Sequence, residues 1–148
     1  MKRVRLAGII PMDNGFALMY RKGVKNHPFG NYYVFPGGGQ ENNEDYETGV
    51  KREIEEEFGI KVIIKEQLYF LEKEDVIEYF FLCEYLSGKF GTGTGPEFSR
   101  DAEYAHRGEY IPLIIEKDKI RDILLLPPEI KDKFVEDIEK GKFNPYFK

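Results

Sequence analysis

The chain is expected to fold as one α/β (α+β) domain spanning residues 1–148, with a mixed β-sheet lying between helices. Three observations predict it. The first half opens with short alternating segments and then a long helical pattern. The middle is rich in strands, and a second helical pattern comes late. Strands interrupted by one helix and closed by another describe a sheet covered on both sides. The third is length: 148 residues with 41% apolar content suffice for one substantial core and no more.

Val4 to Ile10 reads as a strand. Its basic start, MKRVRLAGIIPMD, faintly imitates a leader peptide, but the apolar stretch is short and ends at Pro11 and Asp13, so a first strand is the better reading. Asp13-Asn14-Gly15 has hairpin turn chemistry. Phe16 to Lys22 returns, with Phe16, Leu18 and Tyr20 alternating against Ala17, Met19 and Arg21. Gly23 to Asn31 is a polar loop, and Tyr32 to Phe35 a short strand feeding Pro36 and Gly37-Gly38-Gly39. A helix is expected from about Asn43 to Phe58, with Glu44 and Asp45 in its first turn and Gly59 as a left-handed cap. Val62 to Leu71 and Val76 to Leu86 form a hairpin around Glu72-Lys73-Glu74-Asp75. Ser87 to Arg100 is glycine-rich loop, Tyr110 to Ile115 a strand and Asp118 to Ile123 a short helix. Pro127-Pro128-Glu129 opens a final helix with Ile130, Phe134 and Ile138 on one face, ended by Gly141. The aromatic tail FNPYFK packs down or stays loose.

Composition narrows the function classes. The net charge is −5, which argues against stable nucleic-acid binding, since that wants a basic face. No apolar run approaches the length of a membrane span. The single Cys83 excludes an internal disulfide and suggests a reducing compartment, hence the cytoplasm. It lies in an apolar run and reads as a buried structural thiol. His27 and His106 lack metal-ligand spacing with any cysteine, so a zinc site is not expected.

Residues 38 to 60, GGQENNEDYETGVKREIEEEFGI, say more than any other stretch. On a helix, Glu53, Glu56 and Glu57 stand at i, i+3 and i+4, on one face. Like charges at that spacing repel, and the arrangement makes sense if cations sit between them. An oxygen-only carboxylate set suits Mg²⁺ or Mn²⁺. Val50, Ile54 and Phe58 form an adjoining apolar stripe that can anchor the helix while the carboxylates face a cleft. Arg52 is a helical neighbour of Glu56 and can hold it, whereas Glu55 points to the opposite side. An acidic protein that handles a polyphosphate needs metal to offset repulsion.

Read in order, Gly38, Glu44, Arg52, Glu53, Ile54, Glu56, Glu57, Gly59 and Ile60 match the pattern G-x5-E-x7-R-E-U-x-E-E-x-G-U at all nine defined positions over twenty-three residues. The segment resembles the Nudix box. The resemblance implies an αβα sandwich and hydrolysis of a diphosphate linked to another moiety, usually a nucleoside, with divalent metal. It implies metal binding by Glu53, Glu56 and Glu57, with the backbone carbonyl of Gly37, just before the box, completing the shell. Glu53 is the expected general base, by likeness to the MutT-like branch, although some relatives take the base from elsewhere. Motif matching covers residues 32 to 60, and element order extends the likeness over most of the chain.

Other candidates follow. Gly38 and Gly39 let backbone approach a substrate closely; a plain tight turn is the alternative. Gly49 is a small residue on the carboxylate face. Arg21 or Lys22 can meet phosphate oxygens, and Phe35 or Tyr33 can flank a base or serve as core. The loop GKFGTGTGPEF (88–98) lacks the Lys-Ser/Thr ending of a P-loop and reads as a lid or hairpin loop; Glu97 is its candidate further ligand or base, with Asp101, Glu103 and Glu109 competing. Substrate class is read by elimination. The chain has no Trp, against the NADH-type subgroup, and no proline between Pro36 and Pro96, against the ADP-ribose subgroup, while Tyr79 lies near the tyrosine of dinucleoside polyphosphate hydrolases. A nucleoside triphosphate or its modified (oxidised) form is preferred, with ADP-ribose, nucleotide sugars and dinucleoside polyphosphates as alternatives. A catalytically silent sensing or protein-binding module is the reading from another class; such modules commonly lose a box glutamate, and all are present here. RNA end trimming is disfavoured by the acidic charge. The aromatic runs Tyr69-Phe70 and Tyr79-Phe80-Phe81 offer a homodimer surface, with core the alternative.

Overall fold

Early apolar strands and two amphipathic helices assemble into a mixed α+β architecture, seen in a computed structural model that describes residues 2–25, 27–95 and 108–147. The strands are β1 (Arg3–Ile9), β2 (Pro11–Met12), β3 (Gly15–Lys22), β4 (Tyr32–Val34), β5 (Gly37–Gly39), β6 (Ile60–Glu72), β7 (Val76–Gly88), β8 (Glu109–Glu116) and β9 (Leu125–Leu126). The helices are α1 (Tyr46–Phe58) and α2 (Pro128–Glu139). Short 3₁₀ turns at Lys117–Asp122 and Asn144–Tyr146 replace the expected helix at 118–123 and order the tail.

Two sheets form where one was expected. The first has the order β5-β1-β7-β6; the second runs β2-β3-β4-β9, with β8 also paired to β3. The cause lies at the Asp13 turn, where Asp13 adopts φ 55°. That turn joins β2 to β3, not β1 to β3. β1 instead pairs in parallel with β7 and antiparallel with β5, so the chain changes sheet at Ile10.

Both faces of β3 are buried, and its alternation divides the core. Phe16 and Leu18 join Ala7, Ile9 and Phe80 under α2, while Ala17 and Met19 join Leu6 and Cys83 under α1. The tail packs down: Phe143 is fully buried, and its ring meets Phe16 and Phe134 edge-on, a geometry that adds about 0.5–1.5 kcal/mol per pair beyond burial. The residues weighed as a dimer surface are largely core, since Tyr69, Phe80 and Phe81 are buried; Phe70 is exposed. No helix among the described residues is long and apolar enough to cross a membrane.

The start of α1 differs from expectation. Asn42 and Asn43 adopt positive φ (41° and 61°), which stops a helix there. Asp45 is the N-cap and accepts from the Thr48 amide at 2.7 Å. Glu44 is thus outside the helix. Gly59, at φ 75°, ends it as expected.

Candidate active site

α1 is held by its apolar stripe, with Val50, Ile54 and Phe58 fully buried. Locking that stripe turns the next one inward, so Glu53 and Glu57 are only 6% and 5% exposed, while Glu55 faces solvent. The element facing them is β5. The three glycines are not a turn but a strand, paired with Leu6, Ala7 and Arg5 of β1. A side chain at Gly38 would place its Cβ 2.5–2.7 Å from the Glu53 carboxyl atoms, and one at Gly37 would meet the Leu6 carbonyl oxygen at 2.3 Å. Glycine is therefore what allows backbone and carboxylates to share this space. The Gly37 amide donates to Glu57 Oε1 at 3.4 Å. Gly49 serves close packing of the same kind: its Cβ would meet Leu6 Cδ1 at 2.4 Å and Glu44 Oε1 at 2.9 Å.

Arg52 gathers the acids around it. Its Nε and Nη2 donate to the two Glu44 oxygens at 3.1 and 2.7 Å, a forked charge-assisted pair. Nη1 donates to Glu53 at 2.9 Å and Glu56 at 3.3 Å, and Nη2 reaches the Gly39 carbonyl at 3.2 Å. The expected partnership with Glu56 exists, but the stronger tie is to Glu44. Those hydrogen bonds hold the Glu44 carboxyl below the usual carboxylate range and raise the Arg52 guanidinium above its own. Glu44 also accepts from the Glu41 amide at 2.9 Å, tying down the loop before the helix.

Glu53 and Glu57 line a cleft of about 400 Å³ together with Gly37 and Gly38. Its walls carry Arg21 and Arg5. Arg21 stands opposite Tyr110 in the β3–β8 register, its guanidinium 3.7 Å from that ring's centroid, a cation–π contact that orients the charge. Arg5, Tyr32 and Tyr110 were not among the sequence candidates. They sit on three separate strands, and the signal that could have pointed to them is a charge or tyrosine at the inward phase of a strand.

Other candidates are placed differently. Phe35 is 4% exposed, and its ring makes edge-to-face contacts with Phe80 and Phe134; it lines the cleft but is core first, with little ring surface left for stacking. Gly39 does not line the cleft. Glu56 stands beside Arg52 with a side chain 35% exposed. Tyr79 packs at a tilt against Tyr46, ring centroids 4.8 Å apart, and does not line the cleft. Glu97, Asp101 and Glu103 lie outside the described residues, and Glu109 is an exposed residue at the start of β8. Cys83 is buried, which pushes its thiol up to about 12, as suits a structural thiol.

The donor set fits a hard divalent cation. Two nearly buried carboxylates one helical turn apart repel unless positive charge lies near both, and oxygen is the ligand Mg²⁺ prefers. Among the described residues no three acidic, His or Cys side chains converge closely enough to hold a metal ion by themselves. An open row agrees with Mg²⁺ chemistry, in which one or two carboxylates are completed by waters and substrate phosphates.

A model of the NUDIX domain matches residues 2–121. An ADP-ribose pyrophosphatase of Methanocaldococcus jannaschii is 31% identical over 123 residues, covering 79% of this chain and 69% of that protein. A NUDIX hydrolase from Nitrosomonas europaea superposes with a TM-score of 0.69 at 18% identity, over 96% of this chain and 91% of that one. A MutT NUDIX hydrolase from Burkholderia pseudomallei superposes with a TM-score of 0.66 at 24% identity, over 88% and 95%. Buried box glutamates against a glycine strand, a matching domain model and a 31% identical relative converge: the chain belongs to the Nudix hydrolases and is a pyrophosphohydrolase.

Proposed function

We propose that the chain cleaves a diphosphate joined to a nucleoside, with Mg²⁺ or Mn²⁺, and that a nucleoside triphosphate or its oxidised form is the substrate. The observation that carries the class is the opposed charge within one cleft: Glu53 and Glu57 at one end, Arg21 and Arg5 on the walls. A diphosphate can present its oxygens to the arginines, and the glutamates would hold the cation that offsets the rest of its charge. Glu53, Glu56 and Glu57, with the Gly37 carbonyl, would hold a divalent ion, which would supply charge neutralisation and a more acidic water. Glu53 accepts the proton of the attacking water, whose oxygen bonds to phosphorus as the bridging P–O bond breaks and the phosphate departs with that oxygen. Arg52 is a positioning residue that orients Glu53 and Glu56.

A second substrate reading, ADP-ribose, is supported by the name of the 31% identical relative. Product release from nucleoside triphosphates, oxidised dGTP, ADP-ribose, nucleotide sugars and dinucleoside polyphosphates, each with Mg²⁺ and with EDTA, tests both. Cleavage of triphosphates that stops with EDTA is expected. Preference for ADP-ribose would replace the substrate, and silence across the panel from folded protein that binds Mg²⁺ would overturn the reading.

A further inference from the structure

The glycine-rich segment after β7 reads in sequence as a lid or hairpin loop, but its described part, residues 89–95, lies across the end of α1. The last four carbonyls of a helix have no partner within it. Here the Gly59 amide takes the Glu55 oxygen and the Gly95 amide the Glu56 oxygen, each at 2.9 Å. The Gly91 and Thr92 amides take the Phe58 oxygen at 2.9 and 3.3 Å. The amides of Gly91, Thr92 and Gly95 are thus spent on helix carbonyls, which leaves them no part in a phosphate cradle.

Two contacts anchor this strap. The Phe90 ring packs at a tilt against Phe58, centroids 5.0 Å apart, and the Thr92 hydroxyl donates to the Lys89 carbonyl at 2.7 Å. Gly93 sets how closely the strap lies. A Cβ there would stand 2.4 Å from the carbonyl oxygens of both Glu56 and Glu57, and 2.5 Å from the Glu57 carbonyl carbon. These are backbone atoms, so a side chain at 93 is admitted only if strap and helix part.

The strap also meets an electrostatic need. A helix C-terminus carries partial negative charge, the wrong sign for acids in its last turn. α1 has Glu55, Glu56 and Glu57 there and no basic residue. Lys61, close behind it, pairs with the outward Glu55 at 3.9 Å. Behind α2, by contrast, Lys140 and Lys142 pair with Glu136 and Asp137. At α1 the amide dipoles of the strap take the place of such cations on the side of Glu56. Glu57 is held from two directions: its backbone lies against Gly93, and its carboxylate accepts from the Gly37 amide of β5.

We propose that the strap 89–95 positions the box helix for metal binding, and that Gly93 is the positioning residue on which the directions of Glu56 and Glu57 depend. The proposal rests on the reading above that these glutamates hold a divalent cation. The strap touches neither cation nor substrate; it fixes the backbone from which the two carboxylates extend.

Titration calorimetry with Mn²⁺, without substrate, reads the site, and urea unfolding reads the fold. Gly93→Ala is compared with Gly141→Ala, a glycine at φ 81° behind α2. Both variants are expected to lose stability. Gly93→Ala alone is expected to weaken Mn²⁺ binding by about tenfold, the scale on which groups that support metal ligands act, and to lower kcat at saturating Mg²⁺ by a similar factor. Thr92→Ala removes the hydroxyl tie to Lys89 and should shift Mn²⁺ affinity the same way by less; it decides the matter if Gly93→Ala does not fold. Unchanged Mn²⁺ affinity in folded Gly93→Ala, or in Thr92→Ala where the former does not fold, would overturn the proposal. So would an equal weakening in Gly141→Ala. Parent protein that binds no Mn²⁺ would remove the metal reading and the proposal with it.

Discussion

The two helices carry much the same material and the fold uses them differently. α1 reads YETGVKREIEEEF and α2 reads PEIKDKFVEDIE. Each sets an apolar stripe on the core, Val50, Ile54 and Phe58 in one, Ile130 and Phe134 in the other. The acids then part company. In α2, Glu136 and Glu139 have side chains 65% and 55% exposed and pair at the surface with Lys140 and Arg121. In α1, Glu53 and Glu57 are pressed against glycine backbone inside a cleft. A charge run becomes a site when a facing element without side chains lets it be buried, and remains a solvated face otherwise.

That contrast can be broken by substitution. Glu57→Gln is expected to lower kcat by about 10³-fold, the scale of losing one charge-stabilising group at the reacting centre, with the fold intact by circular dichroism. Glu136→Gln should leave turnover unchanged, and stability within about 0.5 kcal/mol. Activity retained in Glu57→Gln would sink the metal-binding role. The apolar stripes should behave alike: Phe58→Ala and Phe134→Ala are each expected to cost about 3–5 kcal/mol in urea unfolding, because both rings are fully buried.

Gly38→Ala sharpens the comparison at its cause. The new Cβ meets the Glu53 carboxyl group, the far end of a flexible side chain. The fold should survive with a loss below about 1 kcal/mol, while displacing the carboxylate should cost about 10²-fold in kcat. Equal loss of activity and stability would mean that β5 only packs.

The smallest effect separates a partly buried ion pair from a surface one. Arg52 holds the Glu44 carboxyl below its ordinary range, so the folded state favours the charged form. That contribution is complete above the unfolded carboxyl value of about 4.3 and fades as pH falls through the lower folded value. Glu44→Gln should lower stability by about 2 kcal/mol at pH 7, with the gap to the parent closing below about pH 4. Glu139→Gln, at an exposed pair, should show less than about 1 kcal/mol and little pH dependence. Melting curves from pH 3 to 8 measure both.

Much of α1 was legible in advance. Its apolar stripe, inward glutamates, outward Glu55 and Gly59 cap follow from helical spacing, which repeats over a few residues. Its start was misread because Asn42 and Asn43 take positive φ, a turn chemistry that resembles a helix start in composition. The glycines were read for close backbone approach, with a plain tight turn as the alternative; pairing with β1 and the nearness of Glu53 make them a strand. Phe35 was a stacking candidate until Phe80 and Phe134 closed on its ring.

By itself the sequence determined the box helix, its core stripe, the carboxylate row and the family, because each is written within twenty-three neighbouring residues whose geometry is that of one helix and its caps. Tertiary structure alone decided that the chain changes sheet at Ile10, that a glycine strand backs the glutamates, and that Arg5 meets Glu78 and Arg21 meets Tyr110. Those partners are seventy to ninety residues apart in sequence. No local period encodes such pairings; strand register brings them together, and register is settled only when both sheets bury their faces at once.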